Sequence, residues 1–90
     1  FVAVEDIVRC EGLQRCTKII IREQPNIVSS YNLGEFIKLL QPYNFYAPHR
    51  SHLINMRMIE KFDREGMVMM ADGSAIPVSR RRRQDFLNQL

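Results

Sequence analysis

Two short stretches concentrate the side chains of this chain that could do chemistry. The first is His49-Arg50-Ser51-His52, continuing into Leu53-Ile54-Asn55. The second is Asp72-Gly73-Ser74-Ala75-Ile76-Pro77-Val78-Ser79, running straight into Arg80-Arg81-Arg82-Arg83. Each sets cationic side chains beside a short β-like run. The second piles four guanidinium groups onto what reads as the first turn of a helix, where the backbone dipole is already positive. That placement opposes local stability, and an anion docked there would relieve it, so the run is read as kept for function.

Charge elsewhere agrees. Residues 1–49 carry five basic and five acidic side chains, whereas residues 50–90 carry eight basic and five acidic, so the whole formal +3 lies in the second part. A polyanion meets that half first. The plainer alternative is a solvated basic surface, and the clustering of Arg80 to Arg83 argues against it.

Other chemistries find less support. His49 and His52 are the only histidines, with no cysteine near enough to complete a tetrahedral set, so no metal site is expected, and no cofactor motif is found. As an acid and base pair for RNA cleavage they would need a shared site, and residues three apart on one extended strand face opposite sides. No enzyme is therefore expected. Cys10 and Cys16 read as reduced thiols flanking a hairpin turn rather than a redox pair. No apolar run approaches the roughly 20 residues that span a bilayer, and no signal-peptide pattern opens the chain, so a cytoplasmic domain is expected. A membrane-surface role is disfavoured because the basic residues of the last helix sit at one end rather than along one face.

The elements that must position these side chains are mostly strands. Residues 1–4, 7–10, 18–22 and 27–29 are rich in Val and Ile, with Gly12 marking a turn over residues 11–15 and Pro25-Asn26 breaking the next pair. Leu33, Phe36, Ile37 and Leu40 then fall at helical spacing behind an Asn32 cap, with Pro42 beyond the end. Residues 44–47 and 51–54 read as extended with Pro48 interrupting, and residues 59–62 and 67–70 as further strands. Asp72-Gly73 turns the chain into a strand at 75–78. Ser79 is placed to cap a last helix whose Phe86, Leu87 and Leu90 share one face. The expected fold is mainly β, a small multi-stranded antiparallel domain with two short helices. Its 90 residues, 46% hydrophobic, suffice for one small core but not two. The expected buried set is Leu33, Phe36, Ile37, Leu40, Phe45, Leu53, Ile59, Val68, Ile76, Val78, Phe86 and Leu87, with the five methionines between 56 and 70 filling gaps.

These blocks resemble a known family. Phe45, His49, Arg50, Ser51, Leu53, Ile54 and Asn55, then Asp72, Gly73, Ile76, Pro77, Val78, Ser79 and Arg80, fit the pattern of the LytTR-type DNA-binding domain, the output module of many bacterial response regulators. Ile7-Val8-Arg9-Cys10-Glu11 followed by Thr17 resembles its first hairpin. The chain departs from the pattern at Cys16, where many relatives carry Tyr, and at Ala47-Pro48, which replaces an Arg-plus-apolar pair.

The resemblance implies sequence-specific binding to double-stranded DNA by loops in the major groove. It assigns base or phosphate contacts to Arg15 and Thr17 in the first hairpin, to His49 and Arg50, and to Ser79, Arg80 and Arg82. It further implies paired DNA repeats bound by two copies. The domain is expected to span residues 1–90, and because the chain opens on Phe1 rather than Met, it is expected to be cut from a longer regulator whose missing part could be a receiver domain. The competing reading is a protein-interaction module that grips an acidic partner through the basic edge.

Overall fold

Strand β1 (Ile7–Gly12) divides its apolar side chains between two faces, and that division sets the architecture of the computed structural model, which describes residues 2–90. Ile7 and Cys10 point into one apolar layer and Val8 into another. Strand β2 (Thr17–Ile21) repeats the pattern, with Ile19 and Ile21 on the first side and Ile20 on the second. Leu53 and Ile54 of β5 (His52–Asn55) part in the same way. Successive side chains on a strand point to opposite faces, so an unbroken run such as Ile19-Ile20-Ile21 requires cover on both.

These strands lie in an antiparallel five-stranded sheet of order β3-β2-β1-β5-β4, completed by β3 (Ile27–Ser29) and β4 (Phe45–His49) at its edges. Helix α1 (Leu33–Leu40) covers the first face through buried Leu33 and Leu40 and partly buried Phe36 and Ile37. Its start is fixed by Asn32, whose Oδ1 accepts the Glu35 amide at 3.2 Å. The second face is covered by a three-stranded sheet, β6 (Ile59–Phe62), β7 (Met67–Met70) and β8 (Ala75–Pro77), in that order. Helix α2 (Arg83–Gln89) joins it, inserting Phe86 against Tyr46 and Phe62 with ring centroids 6.0 and 5.1 Å apart.

The fold is thus mainly antiparallel β with two short helices, as expected, but its apolar residues form two layers rather than one core, because the middle sheet is buried on both sides. Other expectations need correcting. Residues 2–4 form no strand; Val4–Asp6 is a 3-10 turn, and Phe1 lies outside the described residues. Pro48 does not interrupt β4 but lies within it. A proline is tolerated there because β4 is an edge strand whose register slips between Tyr46 and His49. Leu87 is exposed, since α2 is short and only Phe86 reaches the core. Arg83 packs its guanidinium over Gly66, which has φ +91°, so a side chain at that turn would be strained and would strike Arg83.

Candidate nucleic-acid interface

The strand register brings three separate segments to one end of the five-stranded sheet. β1 pairs with β2 so that Gly12 faces Thr17, and the loop of residues 13–16 closes the hairpin there. β1 also pairs with β5 so that Glu11 faces His52, and the Gly12 amide donates to the Ser51 carbonyl at 2.8 Å. The β4–β5 turn therefore lies beside the first hairpin loop. On its other flank, the Ser79 amide donates to the Pro48 carbonyl at 2.9 Å, drawing in the residues that follow β8. Gly12 permits the crowding: a Cβ there would lie 3.3 Å from Leu33 and 3.6 Å from the Ser51 carbonyl oxygen.

Residues 13–16, 49–51 and 79–82 together hold five arginines and no carboxylate. Arg15, Arg50, Arg80 and Arg81 are exposed and form no ion pair among the described residues. Arg50 occupies the tip of the two-residue turn between β4 and β5. His49, Arg50, Ser79, Arg81 and Arg82 surround a recess of about 240 Å³. Four residues singled out from the sequence thereby share one wall, and Arg81 joins them. Arg82 is partly committed: it donates to the Ala47 carbonyl at 2.8 Å, strapping the arginine run to β4. Tyr46 braces the same corner by donating to Asp85 at 2.8 Å. Burial first, then that hydrogen bond and the Asp85 charge, hold the phenol up at about 12, so it remains a donor.

The histidines are arranged differently from the expectation. The Ser51 amide donates to His49 Nδ1 at 3.1 Å, and the Ser51 hydroxyl lies 3.0 Å from the same nitrogen. An accepting Nδ1 places the proton of the neutral ring on Nε2, which is then a donor. His49 and His52 do not face opposite sides: a turn separates them, they pair across β4 and β5, and their ring centroids are 5.4 Å apart. His52 is half-buried with Nδ1 unpartnered. Burial is the main influence lowering its pKa, aided by His49 and Arg9 and opposed by Glu11.

Three further assignments change. Thr17 is fully buried and its hydroxyl donates to the Tyr31 carbonyl at 2.9 Å, so it faces inward rather than toward an external ligand. Ser79 makes no side-chain cap; its Oγ is buried without a partner. The arginine run does not start an α-helix, because Arg80–Arg82 is a 3-10 turn and α2 begins at Arg83. The cysteines are free thiols, and burial pushes Cys10 up to about 12, leaving it unreactive. No cluster of three or more metal-binding side chains occurs among the described residues, and no helix is long and apolar enough to cross a membrane.

The family model of the LytTr DNA-binding domain matches residues 1–90. Among solved structures, the chain is similar to the LytTr DNA-binding domain of a response regulator from Bacillus cereus. The TM-score is 0.85 at 25% identity, covering 98% of this chain and 84% of that one. No curated protein matches.

Proposed function

The chain belongs to the LytTr family of DNA-binding domains, and from that premise we propose that it binds double-stranded DNA in a sequence-dependent manner through the cationic end of its central sheet. The observation that carries this reading is the convergence there of residues 13–16, 49–51 and 79–82, with five arginines and no carboxylate. Cations left without internal partners gain most from phosphate, and each phosphate neutralised releases counterions from the duplex.

Roles follow from position. Arg50, projecting from the turn tip, and Arg80, exposed at the start of the 3-10 turn, are the base readers, each able to bond a guanine edge through two donors in the major groove. Arg15 and Arg81 anchor to backbone phosphates on either side. The recess of about 240 Å³ receives a phosphate oxygen, with His49 Nε2 and Arg82 as donors and the unpartnered Ser79 hydroxyl gaining an acceptor. Service as the output domain of a transcriptional regulator, with two copies on paired repeats, belongs to the same reading.

The test is selection of duplexes from a random DNA pool by the purified domain, repeated with Arg50→Ala and Arg80→Ala. The expected result is a repeated short motif that each substitution blurs, at a cost of about 1–3 kcal/mol per reader. An unenriched pool from folded protein would instead favour an acidic protein partner on the same edge.

A further inference from the structure

Tyr31 is 66% exposed and belongs to neither apolar layer, yet its backbone is held at both ends by side chains. Its amide donates to Ser29 Oγ at 3.2 Å, and its carbonyl accepts from the Thr17 hydroxyl at 2.9 Å. Thr17 is 0% exposed. At an inward strand position valine would fill the same space without a hydroxyl to satisfy, so the hydroxyl is there to hold residue 31. Two-thirds of the Tyr31 side chain is exposed on a backbone held in place, which leaves its phenol free to meet a ligand outside.

Its position says what. Ser29 pairs with Thr17, Thr17 with Gly12, and the Gly12 amide with the Ser51 carbonyl, so the segment between β3 and α1 stands in the same row as the cationic loops. In the order β3-β2-β1-β5-β4, Tyr31 follows one edge strand and the arginine run abuts the other. Four strand spacings separate those edges, about 19 Å, or roughly half a turn of duplex. Residues 27–34 carry no acidic side chain, Glu35 follows in the first turn of α1, and Glu11 is paired with Arg9 at 3.2 Å.

We propose that Tyr31 makes the segment between β3 and α1 a fourth DNA-contacting segment of this domain, its phenolic O–H donating to a backbone phosphate at the flank opposite the arginine run, with Thr17 the positioning residue that fixes it. The proposal rests on the DNA-binding reading above. A neutral phenol displaces no counterion, so this contact adds affinity without adding salt dependence, unlike the arginines.

The experiment measures affinity for a duplex recovered by the domain from a random pool, at several salt concentrations, for wild type, Tyr31→Phe, Thr17→Val, the double variant and Arg50→Ala. Tyr31→Phe is expected to weaken binding about tenfold on every sequence, with an unchanged salt slope. Thr17→Val should lose a similar or smaller factor, and the double variant no more than Tyr31→Phe alone. A neutral methylphosphonate at the contacted phosphate should erase the difference between wild type and Tyr31→Phe. Wild-type binding by Tyr31→Phe alongside impaired Arg50→Ala would overturn this proposal and leave the interface standing. Equal binding by wild type, Tyr31→Phe and Arg50→Ala would overturn both.

Discussion

The two ends of the five-stranded sheet are made from the same strands and treat their charges in opposite ways. At the end formed by residues 3–6, 22–26, 43–44 and 56–58, Arg22 and Arg57 are set against Glu5, Asp6 and Glu23. Arg22 donates to Asp6 at 3.0 Å, and the Arg22 amide donates to the Asp6 carbonyl at 2.8 Å. At the other end, Arg15, Arg50, Arg80 and Arg81 have no carboxylate partner among the described residues, and Arg82 is turned to a carbonyl. A surface pair such as Arg22 with Asp6 adds little to stability. What sets the other end apart is that its three segments place five arginines together with no carboxylate among them. Charge balance, more than charge count, separates the cationic end from the balanced one.

The largest expected effect comes from removing what holds the cationic end together. Phe86 anchors α2 directly after the arginine turn, and Phe86→Ala should lower stability by about 3–5 kcal/mol, read as a shifted urea midpoint. If stability held and only DNA affinity fell, the anchor would be serving the interface alone. Next, Arg81→Ala should reduce the slope of log affinity against log salt by about 1 while leaving sequence preference intact. A change of preferred motif instead would promote Arg81 from phosphate anchor to base reader.

A smaller effect concerns pH. His52 has its pKa lowered chiefly by burial, so the folded state holds its proton less firmly than the unfolded chain. As pH falls through about 6.5, the unfolded state takes up that proton first and stability declines. Unfolding measured at about pH 7.5 and about pH 5.5 should show this loss, and His52→Gln should flatten it. No flattening would assign the loss to other groups. Smallest of all, Arg22→Ala at the balanced end should cost under about 1 kcal/mol of stability and leave DNA affinity unchanged. A marked loss of binding there would break the contrast between the ends.

Much of the cationic end was legible because its residues carry local signatures. His49, Arg50, Ser79, Arg80 and Arg82 were all singled out from the sequence, and the recess gathers His49, Arg50, Ser79 and Arg82. Arg80 lies just outside that recess on the same 3-10 turn. Thr17 was misread because a threonine beside a basic loop has the same chemistry whether it faces inward or outward, and only the pairing with Gly12 and Ser29 decides. Tyr31, proposed above as a contact, was not singled out because an aromatic residue just before a helix cap gives no local sign of being exposed. A neighbouring cap, Asn32, was the only hint that its backbone would be held. The histidines were misjudged for a related reason. Spacing along one strand predicts opposite faces, but a turn between them resets the register and brings the tilted rings together across two strands.

Local pattern did not settle the 3-10 turns at Val4–Asp6 and Arg80–Arg82, but it settled most of the strands, the hairpin turns after Gly12 and at Asp72-Gly73, the helix start at Asn32 and the excess of arginine late in the chain. Those follow from periodicity, capping and composition, all of which act over a few residues. Tertiary structure alone decided that the middle sheet is covered on both faces, that Pro48 lies on an edge, and that loops some 35 and 65 residues apart in sequence share one end of the sheet. Register and layer order are settled by long-range burial, and no local window records which strand will be its neighbour's partner.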